Sequence, residues 1–179
     1  MRGRAFYSRR YGGYPQWERA LGFPFYALMA APFSLTPRPL DPTTELVGKS
    51  VVVLPPRDAA ESEFAQAVLV RLAELGAEAR IESFTEERSL GEFSEPIVVW
   101  GNLANSDAVR ELYFKCLVMT DLRYPGAGGH ELRTLIDPYG AGANILYLGY
   151  SDDAGLTSGG DRLLAQIAPT TPRLNDIQA

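Results

Sequence analysis

The chain is poor in the residue types that build metal and redox sites. Its 179 residues include one cysteine, Cys116, and one histidine, His130. A single cysteine excludes an internal disulfide and a cysteine metal cluster, and a zinc site would need mostly carboxylates, which is unusual. We therefore expect no metal and no cofactor. Because Cys116 stands in an apolar context, KCLVMT, it is predicted to be a buried structural thiol.

A net positive charge is also missing. The chain has 22 acidic and 17 basic residues, which gives a formal charge of -5 at pH 7. A protein that holds nucleic acid by its backbone needs a positive field, so nucleic acid is not an expected partner. The hydrophobic share of 46% is sufficient for one domain with its own core.

Phosphate-binding and serine-hydrolase motifs are absent as well. The sequence has no G-x-x-x-x-G-K-[ST] and no G-x-S-x-G. A dinucleotide-binding fold places glycines directly after its first strand, but here that junction reads LPPRDAA. Seven of the 17 glycines instead fall within residues 124–155, on both sides of an apolar strand pattern. They are predicted to be turn glycines of a hairpin.

The first 47 residues form an irregular basic, aromatic and proline-rich segment. Four arginines within the first ten residues precede an apolar run, which is similar to a twin-arginine export signal. Prolines interrupt the run, no A-x-A pattern follows it, and it is too short for a stable membrane span. Two interpretations remain open: an export signal or anchor, which would favour a periplasmic or extracellular location, or a leader or arm that packs on a neighbouring surface.

Residues 48–168 are predicted to form a small α/β domain, and residues 169–179 an exit linker. The expected fold is an α/β sandwich with a mixed β-sheet. It combines a parallel βαβ unit, a C-terminal antiparallel hairpin and packed helices. Asp58, Asn105 or Ser106, and Asp152 or Asp153 are expected to cap the three helices. The strands are predicted at 49–56, 78–84, 96–101, 130–137 and 144–151, and the helices after 58, over 105–114 and up to 167.

The most suggestive polar cluster is GNLANS, residues 101–106. It follows the third predicted strand at a helix entrance, where open α/β sheets often bind ligands. Asn102 and Asn105 are candidate contacts for sugar hydroxyls, although the same amides can satisfy local backbone groups. Tyr124 and Arg133 complete the candidate ligand-binding set. No catalytic residue is expected.

His130 is the remaining candidate for acid–base chemistry. Its neighbour Glu131 points to the opposite face of the strand, and Asp137 lies seven positions further on. His130 is therefore predicted to be a half-buried strand residue without a partner. A small hydrolase using His130 with Glu131 or Asp137 is the least favoured hypothesis.

Two stretches together carry a family resemblance: VVWGNLANSDAVRELYF, and the segment from DLRYPGAGG to GGDRLL. Over residues 49–167 the chain resembles the small α/β domain that precedes the catalytic domain in β-N-acetylhexosaminidases, α-glucuronidases and heparinase II/III-like polysaccharide lyases. The matching positions are Leu132, Arg133 and Thr134 in one strand, Ile145, Leu146, Leu148 and Gly149 in the next, and Asp152 and Gly155 at a helix start.

The resemblance implies a non-catalytic accessory domain that buttresses a catalytic domain of the same or an adjacent polypeptide. It also implies that the chain is a fragment of a larger glycoside hydrolase or polysaccharide lyase acting on carbohydrate. Such a domain is expected to expose an apolar patch when it is alone. The alternative is a free-standing α/β module that binds a sugar or another small polar ligand.

Overall fold

The computed structural model describes residues 40–178, so the predicted N-terminal arm up to residue 39 lies outside the described part. The elements, in chain order, are β1 (Thr44–Glu45), β2 (Ser50–Leu54), α1 (Glu63–Glu74), β3 (Glu78–Ile81), a 3-10 turn (Leu90–Glu92), β4 (Ile97–Gly101), α2 (Asp107–Phe114), β5 (His130–Leu135), β6 (Ile145–Tyr150), α3 (Asp153–Gln166), β7 (Thr170–Thr171) and β8 (Asn175–Gln178).

The main sheet has six strands in the order β3-β2-β4-β6-β5-β8. β3, β2, β4 and β6 run parallel, whereas β5 is antiparallel to both β6 and β8. The β2-α1-β3 unit and the β5-β6 hairpin are the two features predicted from the sequence. The α/β class with a mixed sheet is therefore confirmed. A separate two-stranded ladder joins β1 to β7.

Successive residues of a strand point to opposite faces of the sheet, and a hydrophobic core lies on each face. Val51 and Val53 of β2 point to the face covered by α1 and α3, where Phe64 meets Trp100 edge-on at 5.1 Å. Val52 points to the other face, which α2 covers. Because β2, β4 and β6 are buried on both faces, they read as continuous apolar runs rather than alternating ones.

Side chains that accept backbone N–H groups set the helix starts. Ser106 caps α2 by accepting from Val109 N, and Asp152 caps α3 by accepting from Gly155 N, as two of the predicted alternatives require. The expected cap at Asp58 is wrong. The chain turns there with a φ of 60°, and α1 begins five residues later behind Ser62.

Three further expectations need correction. The predicted exit linker contains β7 and β8, and between them Leu174 is fully buried. Packing also starts before residue 48, since Leu46 is fully buried. Cys116 is exposed rather than buried, because it lies in a left-handed turn (φ 57°) that ends α2 and carries its side chain outward.

Candidate functional site

The place to look for a ligand in an open α/β sheet is the crevice at the carboxyl ends of the strands, where the strand order reverses. In this sheet the reversal lies between β2 and β4. The chain passes from β2 to β3 on one side of β2, and then returns to place β4 on the other side of β2. The turns that follow these two strands are residues 55–58 and 102–106. They include the cluster predicted from the sequence.

The protein's own turns close this crevice. Arg57 N donates to the Asn105 carbonyl oxygen at 2.9 Å, and Arg57 Nη2 lies 2.6 Å from Asp107 Oδ1. At Gly101 a Cβ atom would stand 3.4 Å from Pro56 Cγ and 2.7 Å from Asn105 Oδ1, and the glycine adopts a φ of 131°. The two turns are therefore in direct contact at the position where a ligand would enter.

The side-chain amides of Asn102 and Asn105 form hydrogen bonds with other groups of the protein. Asn102 is buried, and its Oδ1 accepts from the backbone N–H groups of Ala104 and Asn105 at 2.9 and 3.2 Å. Its Nδ2 donates to the Tyr150 carbonyl oxygen at 3.2 Å. Asn105 Oδ1 accepts from Asn102 N at 2.8 Å, and Asn105 Nδ2 donates to the Tyr150 hydroxyl at 3.3 Å. The turn-stabilising interpretation of these two residues thus matches the contacts.

Of the other two candidates, Arg133 contacts a buried carboxylate, and Tyr124 lies on the segment between α2 and β5. Glu131 is fully buried on β5, and its Oε2 accepts from the Thr120 hydroxyl at 2.9 Å. Arg133 Nη2 lies 2.5 Å from Glu131 Oε1, and Arg133 Nη1 donates to the Leu117 carbonyl oxygen at 3.1 Å. The β5 side chains therefore anchor the irregular segment that runs from α2 to β5 and carries Tyr124.

A phenol completes the cluster around Glu131. Tyr147 is fully buried on β6, and burial raises the pKa of its phenol, against the opposing effect of a hydrogen bond with Thr120. The phenol therefore stays protonated at neutral pH and is not poised for proton transfer. The hydroxyls of Thr120 and Tyr147 fit here because Gly149 has no side chain. A Cβ at that position would lie 2.1 Å from Thr120 Oγ1 and 2.2 Å from Tyr147 Oη.

His130 has partners that its sequence neighbourhood does not contain. The Ser158 hydroxyl of α3 lies 2.9 Å from Nδ1, and Asp176 Oδ2 of β8 lies 3.6 Å from Nε2. The expectations of half-burial and of no partner are both wrong, because α3 and β8 close over the ring and leave it fully buried. A serine, a histidine and a carboxylate thus come together, but the buried ring offers no access to a substrate.

A group of exposed apolar side chains lies on the α2 side of the sheet. Ile177 faces this side because it pairs with Glu131 in the register of β5 and β8, and the segment after α2 is held there by Glu131 and Arg133. We call this group the apolar face. Its members and their exposed fractions are Phe114 (73%), Met119 (67%), Leu122 (67%), Tyr124 (37%) and Ile177 (47%).

Within residues 40–178, no group of three or more His, Cys, Asp or Glu side chains is arranged to hold a metal ion. Within the same range, none of the helices combines the length and the apolar character needed to cross a membrane.

The fold and its carboxyl edge define an α/β domain with a mixed sheet and a closed switch-point crevice. No protein-family model matches the sequence, and no curated protein matches it. Among solved structures, one titled "Structure of CpGH84D", a glycoside hydrolase of family 84, is similar with a TM-score of 0.47 and 12% identity. The similarity covers 81% of this chain and 23% of that chain, so this chain spans less than a quarter of its length.

Proposed function

We propose that this chain is a non-catalytic accessory domain that packs against the catalytic domain of a carbohydrate-active enzyme. The observation that carries the proposal is the apolar face. Four of its five residues lie on one short segment, from Phe114 to Tyr124, and large exposed apolar side chains that form a patch are typical of an interaction site.

The anchoring of that segment supports the same conclusion. Thr120 and Leu117 are tied to Glu131 and Arg133 beneath them, so the exposed side chains stand on a fixed backbone. A pre-ordered surface loses little conformational entropy when a partner binds, which favours a lasting contact between domains. Glu131 and Arg133 thus hold the proposed interface in a fixed shape.

The closed crevice also favours the accessory domain over the free-standing sugar-binding module. A free-standing sugar-binding module at residues 101–106 needs amide groups that point outward. Those of Asn102 and Asn105 are bonded to the protein itself. If calorimetry nevertheless detects binding of a glycan that Asn102→Ala and Asn105→Ala abolish, the module interpretation replaces the accessory one.

The direct test pairs this chain with the polypeptide encoded with it or beside it. We expect the chain to co-purify with a carbohydrate-active catalytic domain and to raise that domain's thermal stability, because the complex buries the apolar face. The double variant Met119→Asp/Leu122→Asp places two charges in the contact and should abolish co-purification.

Val70→Asp is the matched control. Val70 is also exposed, but it lies on α1, across the sheet from the apolar face. The control should bind as the unsubstituted chain does. Equal binding by the double variant, or a gene with no carbohydrate-active enzyme encoded beside it, contradicts the proposal.

A further inference from the structure

β8 is an open edge of the main sheet. It pairs with β5 on one side, and within residues 40–178 no strand pairs with its other side. Three of its four residues, Asn175, Ile177 and Gln178, are exposed. Backbone N–H and C=O groups along such an edge can pair with a strand of another chain. The ladder with β5 determines which groups of β8 point outward.

The backbone N–H and C=O of Ile177 point away from β5. Thr134 N donates to the Leu174 carbonyl oxygen at 3.0 Å, which makes these two residues a hydrogen-bonded pair one position beyond the β5–β8 register. Hydrogen-bonded and non-hydrogen-bonded pairs alternate along an antiparallel ladder. Asp176 and Gln178 therefore bond to β5, whereas the groups of Ile177 between them are directed to the outer edge.

The outer edge of β8 lacks the charged side chains that protect the opposite edge of the sheet. At β3, Arg80 pairs with Glu95 beside the strand, and charges of this kind discourage pairing with other chains. The one charged residue of β8, Asp176, lies on the α3 face and pairs with Arg162 of α3. The Ile177 side chain lies on the α2 face and is 47% exposed. Both backbone groups and an apolar side chain are thus available to an incoming strand.

A second copy of β8 fits this edge. Two strands related by a two-fold axis perpendicular to the sheet run antiparallel, and each keeps its side chains on the same faces. With the axis at Ile177, each Ile177 N–H can donate to the Ile177 C=O of the second copy, and the two side chains pack together. Asp176 then lies opposite Gln178, whose amide can donate to the carboxylate. With the axis at Asp176, two carboxylates would lie opposite each other, which is unfavourable.

We propose that two copies of this chain form a symmetric dimer by antiparallel pairing of their β8 strands, with Ile177 on the two-fold axis. The dimer joins the two sheets into one. Because the ladder is short and its area is well below about 1,200 Å², we expect a dissociation constant between about 10 μM and about 1 mM. Of the apolar face, only Ile177 takes part in the ladder, so the dimer can be tested separately from the proposed contact with a catalytic domain.

Two measurements on the full chain test the dimer. Sedimentation velocity between about 10 μM and about 1 mM follows the association itself. Hydrogen exchange followed by NMR locates the contact, because the Ile177 N–H is bonded only in the dimer. At a total concentration about ten times the dissociation constant, this amide should exchange about fivefold more slowly than at high dilution, since mass action leaves about a fifth of the chains monomeric. The amides of β3 are the reference and should not change.

Variants at the axis separate strand pairing from other contacts. Ile177→Lys replaces the apolar contact by two like charges and should weaken the dimer about tenfold or more. Val70→Lys makes the same change at an exposed apolar residue of α1 and is the matched control. Ile177→Pro removes the outward N–H without removing a bond to β5, and it should also prevent pairing. Met119→Asp/Leu122→Asp should leave the dimer unchanged.

The proposal is overturned if the full chain is monomeric at about 1 mM, the weakest affinity expected for such a contact. A dimer that survives Ile177→Lys, or one that Met119→Asp/Leu122→Asp abolishes, would place the contact elsewhere and overturns it too. An Ile177 amide that exchanges slowly in a monomeric chain would mean that another part of the same chain covers the edge, with the same consequence. Loss of co-purification with a catalytic domain affects the proposed function alone.

Discussion

Gly149 shows how closely single residues are fitted beneath the apolar face. It lies in β6, paired with Gly101 on one side and Glu131 on the other. The hydroxyls of Thr120 and Tyr147 occupy the volume that a side chain at this position would need. The polar cluster around Glu131 is therefore possible only because residue 149 has no Cβ.

Gly149→Ala should destabilise the fold by about 1–3 kcal/mol, the usual cost of overpacking a well-filled interior. Urea denaturation measures the change. Adding Tyr147→Phe removes one of the two hydroxyls that the methyl group meets and should recover part of the loss. A Gly149→Ala variant as stable as the unsubstituted chain would mean that the cluster is looser than its distances indicate.

The individual residues were predictable to different degrees. Ser106 and Asp152 follow strands and precede apolar helical patterns, so local sequence was enough to identify them as alternatives for the caps. The partners of His130 were not predictable, since Ser158 and Asp176 come from α3 and from a tail interpreted as a linker. Cys116 was misjudged because an apolar context does not reveal the left-handed turn that exposes it.

Among the elements, β3 depends most on charged side chains. It is an edge strand, and none of its four residues is fully buried. Arg80 pairs with Glu82 at 2.7 Å and with Glu95 at 2.9 Å, and Arg88 pairs with Glu82 at 2.9 Å. Hydrogen bonds from Arg88 and Arg80 lower the pKa of Glu82, and a bond from Arg80 lowers that of Glu95. Charged side chains along such an edge also discourage pairing with other chains.

Arg80→Gln should destabilise the protein near neutral pH and matter less in acid. Both glutamates have folded-state pKa values below their unfolded ones. Their contribution is therefore present above the unfolded value of about 4.3 and is lost as the pH falls through the folded values. Urea denaturation at about pH 7 and about pH 3 should show the difference from the unsubstituted chain shrinking. Arg173→Gln, at another exposed arginine, is the control, and a pH-independent effect of Arg80→Gln would contradict the argument.

For the molecule as a whole, the segment after α3 closes the structure. β7 pairs with β1, β8 pairs with β5, and Leu174 between them is buried in the core beside α1 and α3. Thr134 Oγ1 accepts from Leu174 N at 2.8 Å, which fixes the segment to β5. The domain therefore extends to residue 178 at least.

Leu174→Ala should cost about 2–5 kcal/mol of unfolding free energy, as for other fully buried leucines. Ile177→Ala, on the same segment but about half exposed, should change it by no more than about 0.5 kcal/mol. Thermal or urea unfolding distinguishes them. Similar small effects from both would restore the interpretation of residues 169–178 as a linker.

The central part of the fold was predictable because its signals are local. Buried parallel strands read as apolar runs, a helix repeats its apolar residues every three or four positions, and turn glycines flank a hairpin. These patterns determine β2, β4, α2, β5, β6 and α3 with nearly correct bounds, whereas α1 begins five residues after its predicted cap. β8 was missed because NDIQ is short and polar, and it forms a strand only where the free edge of β5 is available to it.

The local sequence of this protein therefore determines its α/β class, the succession of its central strands and helices and the caps of α2 and α3, because each depends on neighbours a few positions away. The tertiary structure decides everything that depends on distant residues. It turns the amides of Asn102 and Asn105 inward, buries Glu131 beneath an exposed apolar segment, and brings Ser158 and Asp176 to His130. Those contacts join residues tens of positions apart, and only the packing of helices and turns on the sheet brings them together.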